Sequence, residues 1–209
     1  DRLIAVAASG ALVDGDHIMA IAAVDLAHRG LLRNKGVAVT VMTNLGFHHT
    51  MRDNNIDVVI TPVGDRSILV ALDEFDFVLG GEQSGHVIHR AHATTGDGLL
   101  AALQLVEYIT RARVTLDQAA SIMQSYPQIL VNIRTLNRVH DPVHDIAEQI
   151  ARAEAELGDN GRILVRSSGT EPLVRVMVEA ADQVTAESIA IRVAQAVVGI
   201  HGGSIEGTH

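Results

Sequence analysis

Cysteine is absent from the 209 residues, so no disulfide framework, thiolate metal site or thiol nucleophile is open to this chain. Tryptophan is absent too. With aromatics limited to Phe47, Phe75, Phe77, Tyr108 and Tyr126, platforms for stacking nucleobases are scarce. Positive charge is in the minority. Sixteen Lys and Arg against twenty-five Asp and Glu leave a formal net charge of -9, the wrong sign for tracking a phosphate backbone, and no nucleic-acid partner is expected. Apolar stretches are short and broken by Asp, His or Gly, well below the run of about twenty residues that spans a bilayer, so no membrane is expected. Asp1 is preceded by no initiator Met and followed by no basic and apolar leader. The opening therefore reads as a cut within a longer chain, and the lack of cysteine fits a reducing cytoplasm. Nucleophile-elbow and P-loop patterns are missing, and the eleven histidines include no zinc-protease arrangement.

What is present is a chain with 47% hydrophobic and 20% charged residues, enough for one large core or two smaller ones. After Asp14-Gly15-Asp16, apolar residues at Ile18, Ile21, Ala22, Leu26 and Leu31 fall on one helical face. Residues 37–42 form a β-branched run suited to a buried strand. Helices are then expected over 45–54 and 65–72, strands over 56–61 and 75–79, and a further helix after Gly96-Asp97-Gly98. Apolar strands separated by helices call for an α/β layer with a parallel-rich sheet, whose ligand edge lies where strands end in Gly-containing loops. Beyond about residue 113 the pattern changes. A short helix over 116–123, a strand over 129–134, a helix over 143–157, a β-pair over 162–166 and 173–178, and a helix over 186–198 suggest a smaller α+β domain.

Two loops could carry chemistry. Arg166-Ser167-Ser168-Gly169-Thr170-Glu171-Pro172, with Arg175 beyond it, offers two guanidinium groups, three hydroxyls and a glycine, the donors that a phosphate dianion needs. The same stretch also reads as a polar hairpin turn. In Gly81-Glu82-Gln83-Ser84-Gly85-His86, an extended conformation would project Glu82, Ser84 and His86 to one side, suiting vicinal sugar hydroxyls, with His86 able to move a proton near neutrality. A Gly-rich turn with a solvated carboxylate is the alternative. Asp14 and Asp16 resemble part of a metal loop but are better explained by a helix N-terminus.

These loops resemble one family. Glu82 to His86 is similar to the sugar-binding loop of the α-phosphohexomutases, and Arg166 to Pro172 is similar to their C-terminal phosphate-binding loop. Asp1-Arg2 resembles the end of their Asp-Gly-Asp-x-Asp-Arg magnesium loop, whose other carboxylates lie outside this sequence. Gln83, where other branches commonly carry Met, and Thr61-Pro62-Val63-Gly64-Asp65-Arg66 point to the branch acting on glucosamine phosphates. Ser67 departs from the Tyr usual after that arginine.

The resemblance implies a tail of a metal-binding second domain at 1–12 and an α/β sugar-binding third domain with a parallel-rich mixed sheet at 13–112. A linker at 113–124 and an α+β phosphate-binding fourth domain at 125–209 follow. It implies interconversion of glucosamine 6-phosphate and glucosamine 1-phosphate through a phosphoserine and a 1,6-bisphosphate, towards UDP-N-acetylglucosamine and the bacterial cell wall. The phosphoserine would sit on a domain these residues do not include, so the fragment alone is expected to be inactive. Glu82, Ser84, Gly64, Asp65 and Arg66 would bind sugar, and Arg166, Ser168, Gly169, Thr170 and Arg175 would bind phosphate. His86 and Arg2 would assist catalysis, Asp1 would ligate Mg2+, and a homodimer through N-terminal domains is possible. Phosphomannomutase or phosphoglucomutase activity, or a non-catalytic phosphosugar-binding module, are the alternatives.

Overall fold

The computed structural model describes residues 1–208, and the chain divides into two compact units, residues 1–125 and 126–209. The first unit opens with a two-stranded ladder, β1 (Ala5–Val6) against β2 (Leu12–Val13), antiparallel. Its body follows as α1 (Gly15–His28), β3 (Gly36–Thr40), α2 (Leu45–Asp53), β4 (Asp57–Thr61), α3 (Asp65–Glu74), β5 (Leu79–Gly81), β6 (Val87–His89), α4 (Gly98–Ala112) and α5 (Leu116–Ala120). The sheet runs β4-β3-β5-β6, parallel across its first three strands and antiparallel at β6.

All five residues of β3 are buried, which is why Val37, Ala38 and Val39 run apolar without alternation. Val37 and Val39 pack with Ile18, Ile21, Phe47 and Met51 on one face, whereas Ala38 packs with Ile68, Leu72 and Ile88 on the other. The layer is thus covered on both sides, and the mixed sheet expected for the α/β domain is present.

The third strand lies later than the sequence suggests. Instead of 75–79 it spans Leu79–Gly81, because Phe75 and Phe77 belong to the turn that ends α3. Phe75 N–H donates to Ala71 O at 3.0 Å, Phe77 N–H donates to Leu72 O at 3.0 Å, and the two rings stack with centroids 5.6 Å apart. Two glycines in the real strand hide it from propensity. Residues 113–124, read from sequence as a linker, carry α5 and bury Ala119 and Met123 in the first unit's core.

The second unit comprises β7 (Gln128–Arg134), α6 (Pro142–Asp145), α7 (Ala147–Leu157), β8 (Arg162–Ser167), β9 (Leu173–Glu179), α8 (Gln183–His201) and β10 (Ser204–Thr208). Its strands are ordered β10-β7-β9-β8, all pairs antiparallel. Ile129, Val131, Ile133, Val165, Val174, Val176 and Val178 meet Ile189, Val193 and Val197 of α8 in one core. The helix expected over 143–157 is broken at Ile146 (φ -122°, ψ 29°), whose side chain is fully buried in that core. On the other face, buried Glu179 takes a two-pronged grip from Arg162, Nε to Oε2 at 2.6 Å and a terminal nitrogen to Oε1 at 3.2 Å.

Helix α1 does more than cover the sheet. A Cβ on Gly15 would lie 2.1 Å from Glu82 O and 2.6 Å from Gly85 N, so the helix start rests directly on the backbone of the 82–86 turn. Gly15→Ala should therefore cost the first unit about 1–3 kcal/mol in urea unfolding, through displacement of rigid backbone and not of a flexible side chain. A second expectation concerns His89, whose pKa is lowered to about 4, first by burial and then by the charge of His92. A base with a depressed folded pKa binds its proton more readily in the unfolded chain. Stability of the first unit should then fall as pH drops from about 6.5 towards 4, by up to about 1.4 kcal/mol per pH unit, and His89→Gln should flatten that slope.

Candidate functional site

In the first unit, β5 and β6 are joined by a tight turn closed by Gly85 N–H to Glu82 O and Glu82 N–H to His86 O, both 3.0 Å. It is pinned from outside as well. Gly15 N–H donates to Gln83 O at 3.0 Å, and Leu3 N–H donates to Gly85 O at 2.9 Å. The extended conformation expected for this loop is therefore not adopted, and alternation of side chains does not govern it. Glu82 and Ser84 nevertheless come together. Glu82 Oε1 accepts Gly64 N–H at 3.0 Å, and Ser84 Oγ donates to Glu82 Oε2 at 3.3 Å. Both line an open pocket of about 520 Å³, together with Gln83, Arg2, Asp14 and Thr40.

His86 is set apart from that wall. It is 5% exposed, its ring fills the space beside Gly96, and its Nδ1 lies 3.4 Å from Asp1 Oδ2. Gly64 (φ 122°), just before α3, is the residue whose N–H holds Glu82. Asp65 and Arg66 open α3, where Asp65 Oδ1 accepts Arg66 N–H at 2.7 Å. Arg66 lines a separate apolar groove with Ile60 and Val70. Asp14 is the wall residue that sequence reasoning had assigned only to a helix cap. The cap is real, since Asp14 Oδ1 accepts His17 N–H at 3.1 Å, but the same residue also faces the pocket.

In the second unit, the turn after β8 is fastened by Ser168 N–H to Leu173 O at 2.7 Å and by Ser167 Oγ to Val139 O at 2.6 Å. Arg138, which sequence reasoning did not single out, donates to Gly169 O. Ser168 is half-buried, whereas Gly169 and Thr170 are exposed. Gly169 has no atom within 4 Å of a built Cβ, so the fold itself does not require a glycine there.

Arg166 and Arg175 stand directly opposite each other on β8 and β9. Among the described residues neither forms an ion pair with a carboxylate, in contrast to Arg162 opposite Glu179 in the same ladder. Burial and then the charge of Arg175 lower the pKa of Arg166, yet a guanidinium so displaced stays protonated. Like charges across a ladder repel, and an anion between them would relieve that repulsion.

Magnesium fits less well. Among the described residues no group of three His, Asp or Glu side chains is placed to hold a metal ion. Asp1 supplies one carboxylate, too few oxygen ligands for an octahedral cation.

Comparison with known proteins bears on both loops. Residues 14–126 match the family model for phosphoglucomutase/phosphomannomutase, alpha/beta/alpha domain III, and residues 130–196 match that for the C-terminal domain. Phosphoglucosamine mutase of Clavibacter michiganensis subsp. michiganensis is 53% identical over 190 residues, covering 90% of this chain and 43% of the relative. That of Frankia alni is 53% identical over 198 residues, covering 94% and 44%. The chain thus spans less than half the length of the curated relatives it matches. Among solved structures, Aspergillus fumigatus N-acetylphosphoglucosamine mutase in complex with GlcNAc-6P and magnesium aligns with a TM-score of 0.75 at 22% identity. The alignment covers 96% of this chain and 46% of that one, and it supports the fold.

The opposed arginines make a prediction that separates an anion site from a polar turn. Arg175→Ala should leave the second unit as stable as before, or more stable by up to about 1 kcal/mol, in phosphate-free buffer. Added inorganic phosphate should raise the melting temperature of the unaltered chain and leave that of the variant unchanged.

Proposed function

The chain belongs to the phosphoglucomutase/phosphomannomutase family, and from that premise we propose that it supplies the sugar-holding and phosphate-holding parts of a mutase interconverting glucosamine 6-phosphate and glucosamine 1-phosphate. The observation that carries this reading is the pair of uncompensated guanidinium groups at Arg166 and Arg175, flanked by the hydroxyls of Ser168 and Thr170. The relatives named phosphoglucosamine mutase support the choice of sugar.

Phosphoryl transfer needs little covalent help from a protein and much positioning and neutralisation of charge. Arg166 and Arg175 would neutralise the non-reacting phosphate, with Ser168, Thr170 and the unobstructed backbone at Gly169 completing its donors. Such a clamp reads phosphate oxygens and is indifferent to which sugar carbon bears them. A 1,6-bisphosphate could then be held in either orientation. Glu82, already oriented by Gly64 N–H and Ser84, would accept hydrogen bonds from ring hydroxyls. His86 is the candidate for proton transfer at a sugar hydroxyl, its Nε2 having no hydrogen-bond partner among the described residues. Arg2, on the pocket wall, would add positive charge for a second phosphate. Any magnesium would need oxygen ligands beyond Asp1, and the phosphoryl-donating serine has no counterpart among these residues.

Titration calorimetry should show the 209-residue chain binding glucosamine 6-phosphate and glucosamine 1,6-bisphosphate, with Arg166→Ala weakening both by about tenfold to hundredfold. Gly169→Ala should fold normally and bind more weakly. A coupled assay for product from the bisphosphate should register no turnover, and robust turnover would refute the dependence on a phosphoserine elsewhere.

A further inference from the structure

Asp14 sits at a junction that neither capping nor ring-hydroxyl binding accounts for. Its Oδ1 takes both the backbone N–H of His17, at 3.1 Å, and the ring Nδ1 of His17, at 2.8 Å. Both bonds end on the same oxygen, and the carboxylate keeps acceptor capacity beyond them. Nor does the cap call for a charge, since Asn or Ser in this position closes a helix about as well as Asp. What the carboxylate adds is a negative wall to the pocket that Glu82 and Ser84 also line.

Burial alone would raise the pKa of Asp14. The hydrogen bonds and charge of His17, helped by the N–H of Asp16, more than offset this and hold it below the usual carboxylate range. The group is therefore anionic throughout the neutral range, with 20% of its side chain exposed and its orientation set by His17. The described wall also carries Glu82 and one cation, Arg2, so two carboxylates face one guanidinium around the cavity. Such a wall favours a ligand that brings a positive charge of its own next to neutral hydroxyls. A hexose offers only hydroxyls, and an N-acetylated sugar offers a neutral amide. An amino sugar offers an ammonium, which donates charge-assisted hydrogen bonds to a fixed carboxylate.

We infer that Asp14 is a specificity-determining residue whose carboxylate, on the wall of the pocket, recognises the ammonium group of the amino sugar, while Glu82 and Ser84 hold the ring hydroxyls. This inference rests on the phosphosugar reading above and assigns its choice of an amino sugar to one residue.

The test compares three probes against the 209-residue chain by NMR titration: glucosamine 6-phosphate, N-acetylglucosamine 6-phosphate and glucose 6-phosphate. The unaltered chain should bind the first more tightly than the other two. Asp14→Asn, and as a second variant Asp14→Ser, keep a capping oxygen and remove the charge, and thermal melts should confirm that both fold. Each should lower the preference for the amino sugar by about tenfold to hundredfold and leave affinity for glucose 6-phosphate within about twofold of its starting value. An unchanged preference in folded variants overturns the role of Asp14 and leaves the phosphosugar reading standing. Failure of the unaltered chain to bind any of the three probes removes that reading, and this inference with it.

Discussion

Two guanidinium groups facing each other across an antiparallel ladder constitute a local conflict that no carboxylate among the described residues relieves by an ion pair. The same two strands resolve an equivalent position with Arg162 against Glu179, so the fold has the means to neutralise a cation on this face. At Arg166 and Arg175 it does not. A cross-strand repulsion of this kind suits an anion small enough to sit between two side chains, which is the phosphate site proposed above. The rigid β8–β9 pair, backed by the valines that meet α8, keeps the two charges at fixed positions before any anion arrives.

The first unit solves a different problem, that of holding a carboxylate and a hydroxyl in a defined orientation on a turn. It does so with backbone more than with side chains. The turn is closed by its own amides, buttressed by the start of α1 at Gly15 and tied to the opening segment at Leu3. Glu82 is then aimed by a single amide from Gly64, a residue at the start of α3 that lies far away in sequence. A turn supported from two sides loses little entropy when a ligand binds, so more of the interaction energy appears as affinity.

Much of this was legible in the order of residues. The apolar run of β3, the largely buried helix α1, the amphipathic helix α4 and the β8–β9 pair around a Ser/Gly loop all follow from patterning, because burial on one or more faces imposes its own spacing on the chain. The 166–175 loop stands out in the sequence for a chemical reason, since two arginines, three hydroxyls and a glycine within ten residues are the donors an anion would need. The displaced β5 was not, because Gly80 and Gly81 lack strand propensity and answer to close neighbours instead, Ala38, Ile68 and Leu72 around Gly80, and His86, Val87 and Met19 around Gly81. The terminal strand β10 was missed for a related reason, its place depending on a partner, β7, some seventy residues earlier.

The sequence by itself determined which residue types were available: a phosphate grip, an acid and a serine on a Gly-bounded loop, and no thiol or basic surface to suggest another chemistry. Tertiary structure alone decided that Asp14 reaches the wall lined by Glu82, that His86 is buried behind the turn, and that Arg166 and Arg175 are direct neighbours in register. The reason is physical. Composition and periodicity report local preference, whereas the direction of a side chain on a turn or across a ladder is set by hydrogen bonds to segments distant in the chain.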